Sequence, residues 1–185
     1  MSKIRPDAQN AIIEAAFIVY AERPTASLGD VAERAGVGRA TLHRYFAGRA
    51  DLMRALALTA MEELEQAVTA QTAPAENYGD GFRLALHAIV PLADRQLFLA
   101  QEGLEADPQV AAAYQASRDQ LHADVEAAKA EGFFAADMPT AWIVTVFENL
   151  IYAAWSLVRD GEATPKQAAE LAWHTLSNGL QGDPS

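Results

Sequence analysis

Apolar residues recur along the chain at the three- and four-residue spacing of α-helices almost from its beginning. Ile13, Phe17 and Tyr20 fall at positions i, i+4 and i+7, with further apolar residues beside them. This spacing places them on one broad stripe of a helix, and Pro24 ends the helix because proline cannot continue it. The pattern predicts a first amphipathic helix with one buried face.

Two short helical patterns follow and are separated by a glycine. The first begins after Ser27, a residue type that caps helices, and ends at Gly36 after about two turns. The second carries Leu42 and Phe46 four residues apart, so that both side chains face the same side. Two short helices joined by a glycine turn predict a helix-turn-helix motif over about residues 28–47.

Longer helical patterns occupy the remainder of the chain, and the sequence as a whole predicts an all-α fold of about nine helices. The six longer segments lie between breaks that contain proline or glycine, and they run over 49–70, 79–92, 95–105, 108–131, 140–159 and 165–180. We expect a helix-turn-helix domain at residues 1–50, a connecting helix and loop at 51–77, and a ligand-binding and dimerisation domain at 78–185.

Charge is distributed unevenly between the two ends of the chain. The net charge is −11, but residues 1–60 carry eight basic and six acidic side chains, a net of +2. The remaining residues carry 6 basic and 19 acidic side chains, a net of −13. This asymmetry favours a protein whose first part meets a polyanion while its second part is repelled by it.

Composition also limits the compartment and the chemistry. The chain has no cysteine, which excludes disulfides and thiolate metal sites. Charged residues interrupt the first twenty positions, and polar residues interrupt the apolar stretch at 141–158. We therefore expect neither a secretory signal nor a membrane span, and a cytoplasmic location.

The second short helix of the motif combines an inward side with an outward side that is rich in hydrogen-bond donors. Its outward positions are Arg39, Thr41, His43, Arg44 and Tyr45. Base edges and phosphates in a DNA major groove present acceptors to such a helix. The N-termini of the two short helices, at Ser27 and Gly38, also place backbone N–H groups where they can meet phosphate. An ordinary solvated basic helix is the alternative.

Residues 27–46 carry a specific resemblance. Their sequence SLGDVAERAGVGRATLHRYF, followed by Gly48, Arg49 and Leu52, resembles the DNA-binding domain of the TetR family of transcriptional regulators. The resemblance covers about the first third of the chain, and the remainder resembles the family in architecture only. It implies a homodimer whose partners are operator DNA and a small-molecule effector.

The resemblance assigns roles to positions of the second short helix. Arg39, Ala40 and Thr41 stand where family members touch base edges or nearby phosphates. His43 and Tyr45 stand where aromatic or imidazole groups contact the phosphate backbone. Arg39 is the best candidate to read a guanine.

Two further arginines belong to the implied DNA-contact residues, and two positions depart from the usual family sequence. Arg44 lies on the same face, and Arg49 stands where the family usually has a phosphate-binding lysine. His43 replaces the commoner tyrosine and opens a pH-sensitive contact, whereas Gly38 replaces the commoner serine or threonine cap. The implied DNA-contact residues are Ser27, Gly38, Arg39, Ala40, Thr41, His43, Arg44, Tyr45 and Arg49.

The region beyond residue 78 shows no catalytic spacing, and we expect no enzyme activity and no cofactor. His122 and Glu126 lie one helical turn apart, but two ligands do not make a metal site, so no metal is expected. The candidates for an effector pocket are aromatic or polar residues: Phe82, His87, Phe98, Tyr114, Arg118, His122, Phe147 and Tyr152. Core packing is the alternative for each of them. Acidic groups together with aromatic rings favour a lipophilic cation as effector.

The last two predicted helices have the composition of a dimer interface. Pairing with their two-fold mates would form a four-helix bundle, and burial within one protomer is the alternative. The candidate interface residues are Leu150, Ala154, Leu157, Ala168, Leu171, Ala172, Thr175 and Leu176.

We conclude that the sequence is best explained by a ligand-responsive repressor that releases a palindromic operator when a small molecule binds. A non-inducible or partner-controlled regulator stays open as a second hypothesis. An acidic helical enzyme or carrier is a remote third.

Overall fold

The structure, a computed structural model, describes residues 8–92, 95, 98 and 106–179. It contains the α-helices α1 Ala8–Glu22, α2 Leu28–Arg34, α3 Arg39–Tyr45, α4 Arg49–Thr72, α5 Tyr78–Ile89, α6 Pro108–Ala130, α7 Thr140–Arg159 and α8 Pro165–Gly179. The predicted all-α fold is confirmed. Of the predicted helix at 95–105, only Arg95 and Phe98 are described, both helical, and the rest lies outside the described residues.

The short helix α2 is fixed at both ends by its own sequence. The Ser27 hydroxyl accepts a hydrogen bond from the Asp30 N–H at 3.3 Å, and the Asp30 carboxylate accepts one from the Ser27 N–H at 2.7 Å. Beyond the helix, Gly36 adopts φ +65°, and the Val37 N–H returns to the Ala32 carbonyl at 3.0 Å. Seven residues are too few for a stable isolated helix, so these end contacts define where α2 begins and turns.

Helix α5 shows how a proline changes the end of a predicted helix. Asn77 caps its start by accepting a hydrogen bond from the Asp80 N–H at 2.8 Å. The α-helix ends at Ile89 and continues as a 3₁₀ turn, Val90–Leu92, because Pro91 has no N–H to donate. The prediction of helix over 79–92 is right in place but misses this change of type.

The chain forms two compact units. The described residues of the first unit are 8–61, 95, 98 and 106–113, and those of the second are 62–92 and 114–179. In the first unit, α1 packs against α2 and α3. The core of this unit is formed by fully buried apolar side chains, among them Ile12, Ala16, Val31, Leu42, Leu52 and Leu56.

The core of the second unit is aromatic. The Phe82 ring meets the rings of Phe134 and Phe147 edge to face, with centroids 5.2 Å apart in each pair. Trp155 is buried beside them with 1% of its surface exposed. Each aromatic ring buries a large apolar area, so the packing of α5, α6, α7 and α8 around these rings is the main stabilising contribution in this unit.

Helix α7 is the one helix in the described part of the chain that is long and apolar enough to pass as a membrane span. The helix has 20 residues, and an 18-residue window within it reaches a mean hydropathy of 1.4, so by length and composition alone it could span a bilayer. It also packs extensively against α8 and contributes six buried residues to the core of the second unit. A core helix of a folded domain passes the same test, so hydropathy does not make α7 a membrane segment.

Candidate nucleic-acid interface and effector unit

Helix α3 presents two different sides. Leu42 has 1% of its surface exposed and belongs to the core of the first unit, and Phe46 directly after the helix is buried as well. Arg39, His43 and Arg44 are exposed on the other side. The predicted division of α3 into an inward and an outward side is confirmed, and the contact of its outward side with DNA stays a prediction.

Three arginines on or just after α3 have no acidic partner among the described residues. Within the described ranges, no carboxylate lies at ion-pair distance from Arg39, Arg44 or Arg49. The nearby acid Asp30 is engaged in the α2 cap instead, and its hydrogen bonds with Ser27 hold the pKa of Asp30 below its ordinary value. The arginine charge is therefore available to a polyanion.

Arg39 lies closer to α2 than its outward position suggests. A Cβ atom built on Gly29 would stand 3.0 Å from Nη2 of Arg39 and 3.3 Å from Oγ of Ser27. The guanidinium thus lies against the first turn of α2, beside another predicted DNA-contact residue. Sequence reasoning did not single out Gly29, whose missing side chain leaves room for this approach.

Arg49, predicted to contact phosphate, is engaged by groups of its own protein in the structure, and its contact with phosphate stays a prediction. Its guanidinium donates hydrogen bonds of 2.7 Å to the backbone carbonyls of Ala26 and Pro24, and it stacks over the Tyr20 ring. Tyr45, predicted to face phosphate, is half-buried, and the Arg44 guanidinium lies 5.4 Å from the centre of its ring.

Phe98 was expected in the effector pocket, and this expectation is wrong. Its side chain has 6% of its surface exposed and lies in the core of the first unit, edge to face with Phe17 at 5.5 Å between centroids. The Arg95 guanidinium covers the same Phe17 ring at 4.0 Å and donates to the Glu14 carboxylate at 2.9 and 3.0 Å. Chain order alone had placed Phe98 with the later helices.

A second ion pair of the first unit joins α4 to the start of α6. The Arg54 Nε–H donates to Asp107 at 2.6 Å, and the other Asp107 oxygen caps α6 by accepting from the Gln109 and Val110 N–H groups. The Arg54 guanidinium lowers the pKa of the Asp107 carboxyl. Asp107 therefore serves as a helix cap and as the acceptor of an inter-helix bond.

Three of the predicted pocket residues lie in the interior of the second unit. Phe82 and Phe147 are buried in the aromatic core. His87 is mostly buried and places its Nε2 atom 3.0 Å from the Glu170 carboxylate, which joins α5 to α8. Their burial fits core packing as well as a pocket, so a role in effector binding stays a prediction.

Another group of predicted pocket residues meets around an acid that sequence reasoning missed. Arg118 on α6 pairs with Glu148 on α7 at 3.3 Å, and Tyr152 lies one helical turn beyond Glu148. Partial burial, together with the negative charge of Glu148, raises the pKa of Tyr152. The four-residue spacing of Glu148 and Tyr152 is the signal that could have found this group. Tyr114 is exposed and His122 is half-buried on α6.

Trp155 adds a polar atom to the same helix. Its indole Nε1–H is buried and finds no hydrogen-bond acceptor within the described residues. The Tyr152 ring lies edge to face with the indole at 5.3 Å between centroids. A buried donor without an acceptor is costly, so this atom is a place where an acceptor on a bound molecule would be stabilised.

Half of the residues predicted for the dimer interface are wrong, and the assignment of the interface to α7 and α8 stays a prediction. Four of the eight candidates are buried in the protomer's own core, with at most 4% of their surface exposed: Ala154, Ala168, Ala172 and Leu176. Leu171 and Thr175 are exposed, and Leu150 and Leu157 are half-buried. Small apolar residues on α8 pack against α7 inside one protomer. The sequence pattern predicted that these same residues contact the second protomer of the dimer.

The outward face of α7 and α8 nevertheless stays apolar. Trp142, Tyr152 and Leu171 expose 56%, 45% and 55% of their surfaces. An open depression on α7 lies next to this face and is lined by Trp142, Thr145, Val146, Asn149 and Leu150. Large exposed apolar groups gathered on two neighbouring helices are typical of an association surface.

Comparison with known proteins places the chain among bacterial regulators. Residues 12–56 match the family model for bacterial regulatory proteins of the tetR family. The HTH-type transcriptional repressor LfrR of Mycolicibacterium smegmatis is 34% identical over 182 residues, which cover 97% of this chain and 93% of the relative.

Solved structures agree with this match. The crystal structure of LfrR from Mycobacterium smegmatis in complex with proflavine superposes with a TM-score of 0.80 at 30% identity, covering 95% of this chain and 97% of LfrR. A TetR family transcription regulator from Marinobacter aquaeolei VT8 gives a TM-score of 0.81 at 19% identity, covering 98% and 100% of the two chains, which supports the fold.

Proposed function

The chain belongs to the TetR family of bacterial regulatory proteins, and we propose that it is a cytoplasmic, homodimeric repressor that releases a palindromic operator when a planar aromatic cation binds. The observation that carries this proposal is the outward face of α3, where Arg39, His43 and Arg44 are exposed and no acid pairs with the two arginines among the described residues. Such a face suits the acceptors of a DNA groove.

The residues of α3 divide into two roles in this proposal. Arg39, with Ala40 and Thr41 beside it, reads base edges near the start of the helix. His43, Arg44 and Tyr45 contact phosphates and hold the helix in register without reading sequence. Arg39 leaves its place beside Gly29 and extends into the groove, a change that a flexible side chain makes at little cost.

Dimerisation is required because one short helix reads too few base pairs. A two-fold dimer reads two half-sites about 34–36 Å apart, one turn of DNA. The exposed apolar groups of α7 and α8 support pairing of these helices with their two-fold mates, with Trp142 and Leu171 at the contact. The same helices enclose the aromatic core, so a change in that core alters the pairing of the protomers.

A planar aromatic cation is the effector class that the second unit favours. Residues 61–185 carry the net charge of −13, and LfrR, which shares 34% identity with this chain, has been crystallised with proflavine. The Glu148 carboxylate pairs with Arg118 at 3.3 Å, and its negative charge acts on the Tyr152 side chain, which lies one helical turn away on α7. Carboxylate and aromatic face together suit a flat cation, whose charge takes the place of the Arg118 guanidinium.

A second candidate is a family member whose operator affinity does not respond to small molecules. The close edge-to-face packing of Phe82 with Phe134 and Phe147 favours it, because a molecule entering between these rings must displace them. An effector experiment separates the two candidates.

Proflavine is the probe for that experiment. Its effect is measured as the change in operator affinity of the purified protein, with a neutral three-ring aromatic as the control ligand. We expect at least tenfold weaker operator binding with proflavine and no change with the neutral compound, since coupling of 1–3 kcal/mol is typical of such regulators. Glu148→Gln should bind operator normally and respond less. Tight binding of proflavine without any change in operator affinity would favour the second candidate.

A further inference from the structure

The loop between α1 and α2 is held by a side chain from the start of α4. The two terminal nitrogens of Arg49 donate to two loop carbonyls, Nη1 to Ala26 O and Nη2 to Pro24 O, both at 2.7 Å. The plane of the same guanidinium covers the Tyr20 ring, with its central carbon 4.4 Å from the ring centre. One side chain therefore joins the end of α1, the loop and the first turn of α4.

This arrangement depends on the shape of arginine. A planar guanidinium can donate in two directions while its face lies on an aromatic ring. A lysine ammonium carries the same charge, but it has no plane to stack and no fixed fork. The resemblance implies a lysine at this position, so the contact depends on the arginine that this sequence has there.

The carbonyls that Arg49 binds come directly before a predicted DNA-contact residue. Ala26 is buried with 8% of its surface exposed, and Ser27, next in the chain, caps α2 and faces solvent. The Arg39 guanidinium lies against the same first turn of α2. A shift of the loop would therefore move the start of α2 and the surroundings of Arg39 together.

We propose that Arg49 is a positioning residue for operator binding, which fixes the α1–α2 loop and the start of α2 instead of serving as a phosphate ligand. This inference rests on the proposed function, since it assigns a residue role within the DNA-binding unit. Direct phosphate binding is the competing role, because Arg49 also borders an open surface depression lined by residues 24–28.

The salt dependence of operator affinity separates the two roles. Each phosphate contact that is lost lowers the slope of log K against log salt concentration by about 0.9. We expect Arg49→Ala to weaken operator binding at least tenfold at every salt concentration with the slope unchanged. Arg49→Lys should fail to restore the affinity. A lysine keeps the positive charge, but it lacks the two planar N–H donors that hold the two carbonyls in fixed directions.

Arg44 supplies the matched control. It is exposed, and among the described residues its only recorded contact is with the Tyr45 ring. Arg44→Ala should lower the slope of log K against log salt concentration by about 0.9, the value for one phosphate contact. Arg44→Lys should largely restore operator binding. If Arg49→Lys behaved like Arg44→Lys and Arg49→Ala lowered the slope, Arg49 would be a phosphate ligand and the proposal would be overturned.

Hydrogen exchange tests the positioning role without DNA. The Ala26 N–H donates to the Arg23 carbonyl at 2.9 Å, and the Asp30 N–H to the Ser27 cap. Both amides should exchange at least tenfold faster in Arg49→Lys, whereas amides in the middle of α7 should be unchanged. Unchanged exchange at Ala26 would contradict the proposal. If the wild-type protein bound no duplex, the proposed function would fail, and exchange at Ala26 would still decide the role of Arg49 in the loop.

Discussion

Both units of this chain bury an apolar core, but their helices differ in length and in how far directional bonds fix them. In the first unit, α2 and α3 have seven residues each, and directional bonds such as the Ser27 cap and the Arg49 fork fix their positions. In the second unit, α7 and α8 have 20 and 15 residues and bury a cluster of aromatic rings. Single polar substitutions should therefore alter the geometry of the first unit, whereas the second should respond mainly to loss of buried area.

Truncation of the aromatic core gives the largest expected effect. Phe147→Ala removes a ring that meets Phe82 and leaves a cavity, which should lower the free energy of unfolding by about 3–5 kcal/mol. Thermal and denaturant unfolding measure this change. A loss below 1 kcal/mol would contradict the view that buried area stabilises the second unit.

Disruption of the exposed apolar face comes next. Leu171→Asp places a charge on a side chain that is 55% exposed in the protomer and that we assign to the dimer contact. We expect the dimer to be weakened by about 2–4 kcal/mol, with little change in the helical content of the protomer. Sedimentation measures the dissociation constant. Lys166→Asp, at another exposed position of α8, is the control, and equal effects of the two changes would argue against this interface.

Loss of the Arg39 side chain tests the reading of bases. Arg39→Ala should weaken operator binding by about 1–3 kcal/mol and relax the preference at one base pair of each half-site, with protein stability nearly unchanged. Competition among operators with single base changes measures the preference. If the mutant weakened binding to all sequences alike, Arg39 would be a phosphate contact.

The smallest expected effect concerns the bond between α4 and α6. Asp107→Asn weakens the acceptor of the Arg54 bond, and it should lower Tm by about 2–4 °C at neutral pH. Arg54 depresses the pKa of Asp107 in the folded protein, so the wild-type advantage should be present above the ordinary carboxyl pKa of about 4. It should disappear as the pH falls through the lower folded pKa. At still lower pH, Asp107 is protonated and as uncharged as the asparagine that replaces it. A stability advantage of the wild type that persists there would contradict this account.

Local patterns predicted most of the helices because their signals lie close together in the sequence. Ser27 and Gly36 mark the two ends of α2, and Leu42 and Phe46 identify the buried side of α3. Pro91 carries the signal for the 3₁₀ turn that the prediction missed.

Long-range contacts explain what the local patterns missed. Arg49 donates to carbonyls 23 and 25 residues away, and Phe98 packs with Phe17, far earlier in the chain. No local spacing reveals either contact. On α8, Leu171 and Ala172 are neighbours that point to different surroundings, and an apolar stripe has the same pattern whether its own protomer or a partner covers it.

The central claim is that two copies of α3 bind one duplex as a two-fold pair. The most direct measurement is selection of bound fragments from random double-stranded DNA, followed by the stoichiometry of the complex with the selected sequence. We expect a palindromic site with half-sites about 10 base pairs apart, bound by one dimer, with affinity that falls steeply as salt rises. A monomeric protein that enriches no sequence at moderate ionic strength would contradict the account.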